Sequence, residues 1–266
     1  MKSNDLIELI KTEYSLDIDL VEKSNESTDG NVYIISTINN ELKFVVKIYT
    51  DIEHANTMTK LHSCLKKQGV LAPDVIKNNE GDLCTKVSNN VYVVCYSFIQ
   101  GRKLKEVELT NYIIKDVACY LRRLHDIKNN RYNLKEIPFE INSNRHSVLH
   151  FDVTKNNIFL DVNNNICFID FDDAKFGPSV CDIAIALTNL FISKANGIDT
   201  EGMKLFIDSY YRDDKLLKEA ELPIIKDAAT KWLKSIMNNQ NFDTSTKLGL
   251  DNKLNCWNEI TLENLT

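Results

Sequence analysis

The stretch from Leu149 to Ala174, LHFDVTKNNIFLDVNNNICFIDFDDA, constrains this chain more than any other. It places one histidine and five aspartates beside two apolar runs, IFL and ICFI, that read as strands around an Asn-rich turn. His150, Asp152 and Asn157 fit the spacing H-x-D-x-x-x-x-N, and Asp170 follows the second strand. A strand–turn–strand hairpin returns the chain close to where it began. Asn157 and Asp170 are therefore expected to project towards one point, with Asp152 nearby. Solvated acids on a turn-rich hairpin are the bland alternative.

The rest of the chain favours a purpose for these acids. Phosphoryl transfer needs hard oxygen ligands for a divalent cation, a separate carboxylate to orient the attacking hydroxyl, and a distant cation for the phosphates. Lys47, in FVVKIY, has an apolar neighbour on each side, and a lysine buried in a strand is costly unless paired. At 266 residues and 43% hydrophobic, the chain can build one large core or two lobes. A net charge of -6 argues against nucleic acid as a partner. No apolar run approaches the roughly 20 residues of a bilayer span, and the amphipathic start MKSNDLIELIKTEY lacks a signal core. Seven cysteines without C-x-x-C spacing suit free thiols in a reducing cytoplasm.

Hydrophobic periodicity divides the chain near Gly101. Before it come a helix at 4–14, an antiparallel meander at 16–22, 32–38 and 42–50, a helix ending near Gly69, and a further hairpin from VLAPDVIKN and LCTKV. The strand NVYVVCYSFIQG stops at Gly101. After it, helices are expected over TNYIIKDVACYLRRLHDI, CDIAIALTNLFISKA, EGMKLFIDSYYR, DKLLKEAEL and IIKDAATKWLKSIMNN. The expected layout is α+β, with a sheet-rich lobe at 1–100 and a larger helical lobe at 101–266.

The ordered set of VVKIY at 45–49, YSFIQG at 96–101, LRRLH at 121–125, HFDVTKNN at 150–157, IDFDDA at 169–174 and DIAIAL at 182–187 resembles the aminoglycoside phosphotransferase and choline kinase family. These are small-molecule kinases of the protein-kinase-like fold. The likeness spans about residues 18–210. It implies a two-lobed fold with ATP or GTP in the cleft, Mg2+, and a small hydroxyl-bearing acceptor. By that resemblance Asp152 is the catalytic aspartate, and Asn157 and Asp170 are the magnesium ligands. Lys47 contacts the α and β phosphates, and main-chain groups around Ser97 and Ile99 hold the base. His150 supports the loop.

Three positions depart from the family pattern. Phe151 stands where the family often has Gly or Asn. The loop SNESTDGN has a single glycine, Gly30. The acid expected to pair with Lys47 is best matched by Glu53. Asp182 is expected to cap its helix and brace the loop, and Lys155 is a candidate for approaching the phosphate. Tyr210, Tyr211, Trp232 and Trp257 are either core residues or an aromatic cage for a quaternary amine. Asp213, Asp214, Glu219 and Glu221 are either a wet acidic face or an attraction for an amino sugar. The resemblance implies a cytoplasmic phosphotransferase, expected to be monomeric, whose acceptor is an aminoglycoside or other antibiotic. A metabolite such as choline, homoserine or a sugar is the alternative, and an idle nucleotide-binding module is the reading from another class.

Overall fold

The computed structural model describes residues 3–24, 31–38, 42–193, 197–238 and 243–266. The single-glycine loop around Gly30 and the NNE turn therefore lie outside the described residues. The chain divides into two compact units, Met1–Gln100 and Gly101–Thr266.

The first unit is built on an antiparallel sheet. Its strands are β1 (Ile18–Lys23), β2 (Val32–Thr37), β3 (Lys43–Tyr49), β4 (Val75–Ile76), β5 (Thr85–Ser88) and β6 (Val91–Ser97). They run in the order β1-β2-β3-β6-β4, with β5 also on β6. The meander forms as the alternating pattern predicts. The 70–88 region differs. The two segments expected to pair as a hairpin each pair with β6 instead. β5 turns into β6 at once, and Asn90 takes a φ of 61° there, a left-handed conformation that asparagine tolerates. The amphipathic helix α1 (Ser3–Tyr14) buries Leu6, Ile10 and Tyr14 against Ile18, Ile35, Val46, Val93 and Cys95. The helix α2 (Ile52–Lys67) starts on Asp51, whose side chain accepts the Glu53 N–H.

The second unit is mostly helical. It begins with β7 (Gly101–Lys103), which pairs with β9 (Ile158–Asp161), and β9 pairs with β10 (Ile166–Phe168). Only glycine fits at 101, because a Cβ there would lie 2.0 Å from the Leu160 carbonyl oxygen. A second ribbon joins β8 (His146–Leu149) to β11 (Lys175–Pro178). The helices are α3 (Asn111–Leu124), α4 (Val180–Phe191), α5 (Thr200–Tyr211), α6 (Lys215–Met237) and α7 (Thr244–Glu259). A short hairpin, β12 (Ile192–Ser193) with β13 (Gly197–Ile198), follows α4. α3 packs on α5, and α6 packs on both α4 and α7.

Two expected helices, 214–222 and 224–239, are one. α6 runs through Pro223 although proline removes a backbone donor in mid-helix. Burial of Leu222, Ile225, Ala228, Ala229, Trp232 and Leu233 along one face outweighs the lost bond. Among the described residues, no helix is long and apolar enough to cross a membrane.

Candidate active site

The loop between β8 and β9 holds His150, Asp152 and Asn157. The β9–β10 hairpin brings its far end back: the Ile169 N–H donates to the Asn157 carbonyl at 2.9 Å. The hairpin turn is built by Asp161, which accepts the N–H groups of Asn163 and Asn165 and the Asn165 amide, all within 3.0 Å. Asp161 is thus a turn-forming acid, more than the solvated one its position suggests.

Asn157 is buried, and its Nδ2 donates to Asp152 Oδ2 at 2.6 Å and to the Asp152 carbonyl at 3.2 Å. With the amide nitrogen committed, Oδ1 is the atom left for a cation. Burial pushes the Asp152 carboxyl above its ordinary range. Asp173 and Asp170 add to this, while the Asn157 bond opposes it. Three carboxylates thus share one field. Asp170 sits at φ 63°, ψ 64°, a left-handed conformation, at the head of the 3-10 turn Phe171–Asp173.

His150 is fully buried between Phe168 and Phe171. Its Nδ1 accepts the Asp152 N–H at 3.3 Å, and its Nε2 donates to the Ile169 carbonyl at 2.9 Å. One nitrogen accepts and one donates, so the ring is the neutral Nε2–H tautomer. It ties the start of the loop to the residue before Asp170.

Asp182 has no exposed surface and anchors the loop backbone. It accepts the His150 N–H at 2.7 Å on Oδ2 and the Phe151 N–H at 2.8 Å on Oδ1. It does not cap α4, because the cap position belongs to Ser179, whose side chain makes no capping bond. Phe151 takes a φ of 65°, which explains the departure noted in the sequence. The conformation suits Gly or Asn, and a phenylalanine there costs about 1–2 kcal/mol. The Asp182 bond and a ring contact with Phe139, centroids 6.3 Å apart, hold it in place.

The Lys155 carbonyl accepts the Lys105 N–H at 3.1 Å, joining the loop to the turn after β7. Lys103, which the sequence reading missed, lies over the Phe159 ring at 5.8 Å. Burial and Lys105 lower its ammonium, while Glu106 and Asp170 act in the opposite direction. Its signal in the sequence is its place two residues after Gly101, on the strand that pairs with β9. On the other side, Asn189 donates to the Val153 carbonyl at 3.1 Å, and its Oδ1 accepts from Lys253 of α7 at 2.7 Å.

In the first unit, Lys47 sits on the central strand β3, half-buried, opposite Val32 of β2 and Val94 of β6. Ser97 ends β6, where its N–H donates to the Asp74 carbonyl and its Oγ accepts the Asp74 N–H. Ile99 follows in a half-buried segment outside the strands. Glu53 is exposed in the first turn of α2 and makes no ion pair among the described residues.

The aromatic residues serve the core. Tyr210, Tyr211, Trp232 and Trp257 are all less than 7% exposed, which leaves no cage. The Trp257 indole donates to Thr188 at 2.8 Å. Glu221 is buried too, paired with Arg145, so it is not part of an acidic face.

Among the described residues no three of His, Cys, Asp and Glu cluster as a metal site. Asn157 Oδ1 and Asp170 offer two hard oxygens beside a shared negative field. That donor set fits a magnesium ion that takes its other ligands from phosphates and water.

Comparison with known proteins bears on the fold and on the segment that carries the loop. A model described as the phosphotransferase enzyme family matches residues 133–202, which hold the loop, the hairpin and α4. No curated protein sequence matches the chain. Among solved structures, amicoumacin kinase hAmiN in complex with AMP-PNP, Ca2+ and Ami aligns with a TM-score of 0.77 at 15% identity, over 100% of this chain and 98% of that one. Spectinomycin phosphotransferase APH(9)-Ia, in complex with ADP and spectinomycin, aligns at 0.67 and 15% identity over 100% and 98%. Choline kinase LicA from Streptococcus pneumoniae aligns at 0.61 and 11% identity over 97% and 99%. At such identities the likeness speaks for the fold. Residues 133–202 match the phosphotransferase enzyme family, and the chain has the protein-kinase-like fold of the aminoglycoside phosphotransferases and choline kinases.

Proposed function

We propose that this chain is a small-molecule kinase that transfers the γ-phosphoryl group of ATP or GTP to a hydroxyl, with an antibiotic such as an aminoglycoside as the acceptor. The observation that carries the reading is the Asn157–Asp152 bond of 2.6 Å beside Asp170, inside the segment that matches a phosphotransferase family. The antibiotic acceptor is favoured by the alignments to an amicoumacin kinase and a spectinomycin phosphotransferase, at TM-scores of 0.77 and 0.67. The second reading, a metabolite kinase, is favoured by the alignments to an aminopropanol kinase, at 0.71, and to a choline kinase, at 0.61.

In this reading Asp152 is the catalytic carboxylate. It accepts a hydrogen bond from the acceptor hydroxyl and orients its oxygen towards the γ-phosphorus. The new O–P bond forms as the bond to the bridging oxygen breaks. The hydroxyl proton passes to the Asp152 carboxylate, and the nucleoside diphosphate leaves with the electron pair. A carboxylate made more basic by burial suits that task. Asn157 Oδ1 and Asp170 would hold Mg2+, which neutralises charge on the phosphates. Lys47 would pair with the α and β phosphates, and the backbone around Ser97 and Ile99 would hold the base. We place the enzyme in the cytoplasm, acting as a monomer.

Asp152→Asn is the test. It should lower turnover roughly 10^3-fold while nucleotide affinity, measured by thermal shift with ATP or GTP and magnesium, stays within about twofold, too small a change to be a lost contact. Folding raises the pKa of this carboxyl, so the ionised form is the disfavoured one. The group's contribution to stability falls as pH rises from the ordinary carboxylate range through the raised value. The asparagine variant should therefore melt higher than wild type at pH 7. Near-normal turnover in a panel of aminoglycosides, other antibiotics, choline, homoserine and sugars would overturn the assignment. Absence of any nucleotide shift in the wild type would favour an idle module.

A further inference from the structure

We propose that Tyr210, held by the Arg145–Glu221 pair, is a positioning residue for the 150–157 loop and acts through His125 and Asp182. The proposal rests on reading that loop as the phosphoryl-transfer loop.

The connection is continuous. Glu221 on α6 accepts from Arg145 Nε at 3.0 Å and Nη2 at 2.8 Å, and from the Tyr211 hydroxyl at 2.7 Å. Arg145 Nη2 also reaches the Tyr210 hydroxyl on α5 at 3.1 Å. The Tyr210 hydroxyl lies 2.7 Å from His125 Nδ1, just past the end of α3. His125 Nε2 lies 3.2 Å from Asp182 Oδ2 on α4. Asp182 then takes the N–H groups of His150 and Phe151.

With His125 as the neutral imidazole, one set of bond directions satisfies every group in this chain. Guanidinium groups only donate, so the Tyr210 oxygen accepts from Arg145, and its own proton points to His125 Nδ1. With Nδ1 accepting, His125 carries its proton on Nε2 and gives it to Asp182. An ionised carboxylate only accepts, so the series ends there, on the loop backbone. Bonds aligned head to tail polarise one another. The groups facing His125 are Asp182 from α4 and Tyr210 from α5. Arg145 stands one bond behind Tyr210 and Glu221 two, and His150 lies beyond Asp182. Burial raises the Tyr210 phenol well above its ordinary value, against the pull of Arg145, so it remains a donor at working pH.

A positioning role follows from what the last bond holds. Phe151 occupies a left-handed conformation that phenylalanine disfavours, and its N–H ends on Asp182. If Asp182 turns, the residue next to Asp152 is free to relax. Residues that only fill space between α3, α5 and α6 would leave that bond untouched.

Tyr210→Phe keeps the ring and removes the hydroxyl. Backbone amide exchange at His150 and Phe151 should become at least tenfold faster, and kcat should fall about tenfold with the nucleotide KM unchanged. His125→Gln offers one acceptor and one donor in place of the two nitrogens and cannot titrate. It should keep exchange and kcat within about threefold of wild type, with an unchanged pH profile. Glu221→Gln loosens Arg145 from the far end and should accelerate exchange at the same two amides, which covers failure of Tyr210→Phe to fold. Unchanged exchange at His150 and Phe151 in folded Tyr210→Phe or Glu221→Gln overturns the proposal, whatever happens to the melting temperature. Exchange needs no turnover, so a wild type inactive on every acceptor would sink the functional reading and leave this test standing.

Discussion

The 150–157 loop and the strand carrying Lys47 are held by different means. β3 is fixed by ladders on both sides, to β2 and to β6, and by Val46 buried beneath it. A slip of one residue would turn Lys47 to the other face and expose Val46, so register alone specifies the position. The loop has no ladder. Its shape comes from buried side-chain acceptors that each collect several N–H groups: Asp182 takes three, from His125, His150 and Phe151. One position is set by backbone pairing and tolerates change in its neighbours. The other is set by a few polar atoms and should not.

The largest break is expected at Asp182. Asp182→Ala leaves three N–H donors, two of them on buried residues, without their acceptor, at a cost of about 3 kcal/mol or more. Denaturant unfolding should register that loss, and kcat should fall by more than its effect on nucleotide affinity. A variant of near-wild-type stability would remove the contrast between loop and strand. A smaller effect of opposite sign is expected at Phe151. Phe151→Asn relieves the left-handed strain and should raise stability by up to about 1 kcal/mol, read as a higher denaturation midpoint. No gain would mean that the Phe139 contact already offsets the strain. The smallest effect belongs to the first unit. Glu53→Gln changes an exposed first-turn residue without an ion pair among the described residues, so nucleotide KM should stay within about twofold. A tenfold rise would show that Glu53 engages Lys47 when nucleotide binds.

What could be read in the sequence follows the same division. The meander, the β9–β10 hairpin and the approach of Asn157 to residue 169 all follow from local alternation and a turn, and local patterns survive folding. The strand pair at 75–88 did not read correctly, because a two-residue strand carries no periodicity and its partner was decided by β6. Pro223 was read as a break, since its local penalty is visible and the burial that outweighs it is tertiary. The identity of Phe151 was flagged as odd, yet only its φ explains why. Tyr210 and Glu221 draw notice in the sequence only as cage or acidic-face candidates, and Arg145 draws none, because no spacing rule links the three. An arginine, a tyrosine and a glutamate scattered over 145–221 show no common role until the fold brings them together.

The contact from Lys253 through Asn189 to the Val153 carbonyl has a consequence for how the protein is made. Val153 leaves the ribosome about 100 residues before Lys253, a delay of roughly 5–20 s at ordinary synthesis rates. During that interval β9 can pair with β10 and the loop can take up Asp182, but α7 is not yet present to tether Asn189. The nascent chain therefore carries a partly assembled site until α7 emerges, and a stall inside α7 would leave the right motif with a loose loop.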